Sequence, residues 1–296
     1  NDNEITWDRI KRRDQSERVT RSIGNRVGVK AIRDAIDHTI LEPWGANQPF
    51  NLPVFAYYGV SRAMLDIPLR RTAFAWFYHK ENEEHRLQKE QRSFDVTLPE
   101  LDAVRRAIVS MFAQLTNPRV ETNPLRLAVD VNGETLDIAH LSDGYQTMLG
   151  LVIDLASRMA MANPTVEDPL AMPAVVCIDE VELHLHPRWQ KHVVGDLLRT
   201  FPNTQFVMTT HSLVVIEAVN NHLKREQLKG QSLPIELQRI EPLPKHDCKV
   251  YFIEAGIETT ILDDETGLID NQLLKHFNAV NDIYEQLRDK EWELKQ

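Results

Sequence analysis

The 296-residue sequence predicts an α/β fold built on a mostly parallel sheet. Three observations carry this. The apolar run Ala174-Val-Val-Cys-Ile178 ends in Asp179-Glu180. A helical pattern follows, opened by Pro187 at a first-turn position, where its missing N–H costs nothing, and closed by Phe201-Pro202-Asn203. A second short apolar run, Gln205-Phe-Val-Met-Thr209, comes next. Strand, helix, strand at this spacing implies parallel neighbours.

Along the chain, Val29, Ile32, Ile36 and Ile40 fall at helical spacing over 27–41, and Pro43 is expected to end that helix. Leu52-Pro-Val-Phe-Ala-Tyr-Tyr58 is short, β-branched and aromatic, and stops at Gly59, as a buried strand does. Phe74 to Arg92 is helical in pattern and highly charged. After Leu98-Pro99 a second helix places Leu101, Val104, Ile108, Phe112 and Leu115 on one face until Asn117-Pro118. Residues 125–131 and 134–138 flank Asn132-Gly133, the pair that best suits the positive φ angles of a type I′ hairpin turn. Residues 145–161 carry Met148, Leu149, Leu151, Val152, Leu155 and Met159 on a broad apolar face. Beyond residue 220 the pattern predicts strands at 236–240, 249–254 and 259–262, a turn at 267–271, and a charged helix over 271–295 with Leu273, Leu274, Phe277, Val280, Ile283, Tyr284 and Leu287 on one face.

Composition narrows the class. Hydrophobic residues at 42% and charged residues at 26% describe a soluble globular protein. No run approaches the roughly 20 apolar residues that span a bilayer, and the polar, basic N-terminus lacks a signal peptide's apolar stretch. A cytoplasmic protein without membrane contact is the expectation. Cys177 and Cys248 are too few for a disulfide framework. A net charge of −10 argues against a surface coated for nonspecific nucleic-acid binding. A local basic run does exist, from Arg9 through Lys11, Arg12, Arg13, Arg18, Arg21 and Arg26 to Arg33, and it reads either as a solvated face or as a phosphate or partner contact. The acids Glu81, Glu83, Glu84, Asp263, Asp264 and Glu265 are expected to face solvent.

Three short motifs carry chemistry. Leu141-Ser142-Asp143-Gly144 places a hydroxyl, a glycine and backbone N–H groups at a helix start, which suits an anion and suits equally an ordinary N-cap by Ser142 or Asp143. Asp179-Glu180 at a strand end fits a metal-holding carboxylate followed by one that orients water, or a helix-capping pair. In Thr209-Thr210-His211-Ser212 the histidine suits a hydrogen bond to phosphate, and Ser212 suits the cap of the next helix. His184 and His186 in Glu182-Leu-His-Leu-His-Pro187 also invite a zinc reading, without an evident third ligand.

In this order the motifs resemble the back half of an ABC-type ATPase of the SMC, RecF and OLD branch. Leu141-Ser-Asp-Gly-Tyr-Gln146 resembles the signature, Val175-Val-Cys-Ile-Asp-Glu180 the Walker B strand with its glutamate, Glu182 to Pro187 the D-loop, and Thr210-His211-Ser212 the switch histidine. Val181 stands where many relatives have proline. Tyr57-Tyr-Gly-Val-Ser-Arg62 is similar to a Tyr-Tyr-Gly-x-x-Arg pattern of prokaryotic defence ATPases and occupies the place of the Q-loop. With the Leu-His-Pro loop and Lys249-Val-Tyr-Phe-Ile-Glu254, it makes the chain most similar to the ATPase subunits of Septu-type and retron-associated anti-phage systems.

The resemblance implies an ABC-ATPase head, a P-loop fold with a helical subdomain inserted, in which residues 1–62 are the remainder of the N-terminal ATPase lobe and linker helix. Residues 63–124 are then the helical insertion, 125–220 the signature, Walker B, D-loop and switch core, and 221–296 a C-terminal extension for partner docking. No stretch matches G-x-x-x-x-G-K-[ST], so the Walker A lobe is expected to lie upstream in a longer polypeptide, a reading that the start at Asn1-Asp2-Asn3 prompts. The implied ligands are ATP and Mg²⁺. Asp179 holds the metal through water, Glu180 and His211 are catalytic, and Ser142, Asp143, Gly144 and Gln146 contact nucleotide held by a facing head. The implied partners are a second copy or a larger homo-oligomer through the heads, an HNH-type nuclease subunit that the ATPase regulates, and DNA or a retron reverse transcriptase with its msDNA. The alternatives are a RecF- or SMC-like repair ATPase that clamps DNA and an OLD-family ATPase-nuclease head. The short helices between Arg71 and Asn117 disfavour a long coiled coil, and the tail after residue 220 is too short for a nuclease domain.

Overall fold

A computed structural model describes residues 9–11, 22–24, 34, 36–46, 50–60, 66–238, 240–254, 257–269 and 288, with the side chains of 9–11, 22–24 and 66–71 outside that set. The basic run at the N-terminus, Ser61-Arg62 and the expected helix over 271–295 therefore lie outside the described residues or side chains. The chain divides into two compact units, Asn1–Leu52 and Pro53–Gln296. In the first, β1 (Arg9–Lys11) pairs antiparallel with β2 (Ser22–Gly24), and a π-helical turn, Asp37–Leu41, runs into a short α1 (Glu42–Gly45). Pro43 does not stop this path as expected, because it occupies the first turn of α1, where no helical N–H is required of it.

The second unit is built on a parallel sheet of three strands in the order β3 (Val54–Tyr58), β7 (Ala174–Ile178), β8 (Thr204–Met208). Alternation along these strands sends Val54, Tyr58, Ala174, Val176 and Ile178 into the core. The other face carries Phe55 beside Val175, and Tyr57 and Val207 on either side of Cys177. Phe55 and Tyr57 are 71% and 72% exposed, unusual for a parallel sheet, which normally buries both faces.

Between β3 and β7 the chain forms α2 (Asp66–Gln91), α3 (Pro99–Met111), an antiparallel sheet β4 (Thr116–Thr122), β5 (Leu125–Val131), β6 (Glu134–Asp137), and α4 (Asp143–Ala162). The Asn132-Gly133 hairpin is as expected, with φ of 52° and 85° at the two turn residues. The apolar period that suggests helix as far as Leu115 does not keep the chain helical: α3 stops at Met111, and Phe112 and Leu115 stay buried through a turn closed by Leu115 N–H to the Phe112 carbonyl at 2.7 Å. Asn117-Pro118 then belongs to β4, so the 63–124 segment is not wholly helical. The helix α4 is the centre of the core. It packs on α2, α3 and β3, burying Leu151, Val152, Leu155 and Met159, each such side chain contributing roughly 1.5–3 kcal/mol.

Between β7 and β8 the expected single helix is two, α5 (Pro187–Gln190) and α6 (Val193–Thr200), separated at Lys191 and His192. After β8 comes α7 (Leu213–Gln227). The segment expected as a strand at 236–240 is instead the short helix α8 (Ile235–Gln238), while the strands expected at 249–254 and 259–262 are present as β9 (Tyr251–Glu254) and β10 (Ile257–Thr260), which pair antiparallel. Asp263 and Asp264 are turn-builders: Asp263 accepts from Thr266 N–H at 2.6 Å, and Asp264 pairs with Lys245.

Glu81 and Glu84, expected at the surface, are 4% and 3% exposed. Arg105 donates to Glu84 at 2.7 Å and Glu81 at 2.8 Å, and each carboxylate also accepts a backbone N–H, from Leu98 to Glu84 at 2.8 Å and from Val120 to Glu81 at 2.6 Å. The charges are sequestered because every oxygen of the cluster's outer ends has a donor. Replacing Glu84 with Ala leaves Arg105 with Glu81 alone and the Leu98 N–H without its acceptor, and urea unfolding is expected to show a loss of about 3 kcal/mol.

His222 on α7 donates from Nδ1 to the Glu241 carbonyl, 2.7 Å away, and its ring fills the space over Gly195, where a Cβ would lie 2.5 Å from Cε1. Burial lowers its pKa below the ordinary histidine value. A base with a depressed folded pKa stabilises the fold above its unfolded value, about 6.5, and that stability is lost as pH falls below it. Melting temperatures from pH 8 to pH 5 should therefore drop, and drop less in His222→Asn.

Candidate active site

The ends of the three parallel strands set the site. Ile178 lies between Tyr58 and Met208 as the last register pair, and the ladder runs on for one residue: Asp179 N–H donates to the Tyr58 carbonyl at 2.9 Å and Thr209 N–H to the Ile178 carbonyl at 3.0 Å. Asp179 and Thr209 thus emerge side by side. The Thr209 hydroxyl donates to Asp179 Oδ1 and accepts from Glu180 N–H at 2.8 Å. Glu180 has a φ of 48°, a left-handed conformation uncommon outside glycine, and it is held there by Thr209 and by Leu183 N–H on its carbonyl at 2.9 Å. The chain turns out of the strand at Glu180. Tyr58 also reaches α4, its hydroxyl donating to Asp154 at 2.8 Å.

The following loop grips the end of β8 a second time. Thr210 Oγ1 donates to Glu182 Oε2 and His211 N–H donates to Glu182 Oε1, both at 2.6 Å. Ser212 caps α7 as expected, accepting from Val215 N–H at 3.3 Å, and its hydroxyl donates to Gln190 at 2.6 Å. Glu182 was not among the residues that sequence patterns point to. It stands inside the Glu-Leu-His-Leu-His-Pro loop, and an acid two residues past Glu180 has no periodicity to mark it.

At the start of α4, Ser142 occupies the N-cap position with extended dihedrals, but its side chain makes no capping bond, and neither reading of Leu141-Ser-Asp-Gly as a side-chain cap by Ser142 is realised. Ser142 and Asp143 are exposed. Gly144 is buried, and a Cβ there would lie 2.4 Å from the carbonyl oxygen of His184, so only glycine lets the 180–187 loop rest on the helix. Gln146, expected at the nucleotide, is buried with its amide donating to the carbonyls of Leu141 at 2.6 Å and Ala139 at 3.2 Å, where it shapes the loop ahead of the helix. A cleft of about 360 Å³ opens beside Ser142 and Gly144, lined further by Tyr145, Arg188, Trp189 and His192. Two of its lining rings, Tyr145 and Trp189, have centroids 4.1 Å apart, and Phe112 stacks on Trp189 at 5.1 Å.

The donor set at Asp179 suits a hard cation bound largely through water and phosphate, since magnesium keeps several waters and takes few carboxylates. No cluster of three His, Cys, Asp or Glu suited to a metal occurs among the described residues. His186 Nδ1 accepts from Arg188 N–H at 3.1 Å as the cap of α5, which accounts for that histidine without zinc.

Residues 23–217 match the AAA_21 family, described as an AAA domain, putative AbiEii toxin, Type IV TA system. The chain belongs to this family. A "Retron Ec83 probable ATPase" of Escherichia coli is 34% identical over 53% of this chain and 31% of its own length. A "Septu protein PtuA" of Bacillus mycoides (strain KBAB4) is 43% identical over 24% of this chain and 10% of its own. The chain thus spans about a third or less of these curated relatives. The SMC head domain from Thermotoga maritima is 22% identical over 40% of this chain and 39% of that one, with a TM-score of 0.30, too low to add to the fold. The AAA_21 assignment bears out the resemblance to the SMC, RecF and OLD branch that the motifs suggest.

In this AAA_21 chain Gly144→Ala forces the 180–187 loop away from α4. Overpacking of this kind costs about 1–3 kcal/mol, and amide hydrogen exchange should rise at residues 182–186.

Proposed function

We propose that the chain supplies the Walker B, switch and signature parts of composite ATP-hydrolysing sites formed between two facing heads, and that the protein acts in anti-phage defence by controlling an effector nuclease. The observation that carries this reading is the clamp at the ends of β7 and β8. Thr209 fixes Asp179 and Glu180 in register, one at the strand end and the next turned out of it, beside the strand end that bears His211. The exposed Ser142 at the mouth of the cleft supports a phosphate contact in trans. The names of the retron and Septu relatives support the defence setting.

In this reading Glu180 orients and deprotonates the attacking water, His211 donates to the γ-phosphate, and Ser142 with the N–H groups at the start of α4 receives the γ-phosphate of the facing head's nucleotide. Asp179 would hold Mg²⁺, which would supply neutralisation of charge on the phosphates. No stretch of this sequence matches the phosphate-loop motif, so residues 1–296 do not supply that part of the site in this reading. The apolar, exposed face of the parallel sheet, with Phe55, Tyr57 and Val207, suits the helix that such a loop leads. A cytoplasmic place belongs to the same reading, and no helix among the described residues is long and apolar enough to cross a membrane.

The test is ATP turnover by the full-length protein and its assembly size in each nucleotide state. Glu180→Gln should lower turnover by about 100-fold or more. Ser142→Arg should abolish it by blocking the phosphate seat. Mixing the two inactive variants should restore part of the activity, because a mixed pair assembles one site with an intact Glu180 and an intact Ser142. Turnover that ignores Glu180, or no recovery on mixing, would defeat the composite-site reading.

A further inference from the structure

Glu182 has both carboxylate oxygens engaged by the segment that carries the proposed switch. Oε2 takes the Thr210 hydroxyl and Oε1 takes His211 N–H, each at 2.6 Å. These two donors stabilise the half-buried carboxylate, with which no Lys or Arg pairs among the described residues. Thr210 Oγ1 in turn accepts from Ser212 N–H at 3.0 Å, which ties the residues on either side of His211 to the same point. Hydrogen bonds of charged groups at this length are strong and directional, and they leave the His211 backbone little freedom.

The loop that bears Glu182 is itself fixed at two further places. Leu185 N–H donates to the Glu182 carbonyl at 2.8 Å, and the His184 carbonyl lies directly over Gly144. A displacement of the signature helix start is therefore felt at Glu182 through three residues of closed turn.

We propose that Glu182 is a positioning residue for His211, holding the switch backbone at the height of Asp179 and Glu180 and linking it, through the His184–Gly144 contact, to the signature of the same head. This rests on the ATPase reading above and deepens it. The carboxylate does not touch the reacting atoms. Both its oxygens are spent on the protein, which separates its role from that of Glu180.

The experiment is steady-state ATP turnover by the full-length protein with Glu182→Leu, Glu182→Gln, Thr210→Val and the Glu180→Gln control. Leucine removes both acceptors at similar bulk. It should lower kcat about tenfold or more and leave KM for ATP within about twofold, as loss of an interaction made to a reacting-group holder does. Glutamine keeps an oxygen for His211 N–H and should recover most of kcat. Thr210→Val should give a smaller kcat loss with KM unchanged, and it decides the matter if Glu182→Leu does not fold. Parent kcat in both Glu182→Leu and Thr210→Val, or losses that appear in KM alone, would overturn the positioning role while the Glu180→Gln control still upholds the ATPase. No turnover in the parent would instead remove the ATPase reading, and this role with it.

Discussion

The parallel register of β3, β7 and β8 is the constraint on which the candidate site depends. Because Tyr58, Ile178 and Met208 end in one row, the next residue of each strand meets its neighbours at hydrogen-bond distance. Asp179 continues the ladder onto Tyr58, and Thr209 continues it onto Ile178. The Thr209 hydroxyl then has only one place to go, between the Asp179 carboxylate and the Glu180 N–H. A one-residue slip in either strand pair would turn every side chain to the other face, burying Asp179 and exposing Ile178. The apolar alternation of Val54, Val176 and Ile178 against α4 is what forbids that slip. The placement of the charged pair is therefore paid out of core packing.

The 180–187 loop is short, yet it meets both ends of the proposed chemistry. Its first half holds β8 through Glu182, and its second half rests on Gly144 and then opens α5 at Pro187. Two left-handed residues, Glu180 and His184, make this possible within a few residues. Neither is glycine, so the conformation is bought by the hydrogen bonds at Thr209 and within the turn rather than by backbone freedom. A loop held this tightly transmits displacement instead of absorbing it, which is the property a link between signature and switch requires.

Much of this was legible in the residues. The periodicity of β7, the Pro187 helix start and β8 fixed the parallel sheet, and Asn132-Gly133 fixed the hairpin, because local chemistry decides each of them. What was not legible was decided by distant partners. Glu81 and Glu84 read as surface acids because nothing near them in sequence reveals Arg105, which lies more than a helical turn beyond the next loop. Leu115 looks helical because a buried turn and a helix both want an apolar residue there. Residues 236–240 alternate like a strand, but strands need neighbours, and the short helix α8 forms instead. At the candidate site, Asp179, Glu180 and His211 stand out in the sequence because each closely follows a short apolar run, whereas the contacts of Glu182 and the packing duty of Gly144 appear only once the loop is folded back on the helix.

The sheet's open face and the sequence's lack of a phosphate loop bear on one another. Parallel sheets gain stability by covering both faces, and here α4 covers one while Phe55, Tyr57 and Val207 remain exposed on the other. A phosphate loop works by presenting the N-terminus of a helix to the phosphates, and an amphipathic helix needs an apolar surface on which to pack. The strand ends with Asp179 and Thr209 belong to the same sheet that shows the uncovered face. A helix seated on Phe55 and Tyr57 with its N-terminus toward these strand ends would satisfy both demands at once, the burial of apolar surface and the cradle for phosphate. In the composite-site reading, then, the energy of closing the core and the geometry of binding nucleotide come from a single packing event on this face.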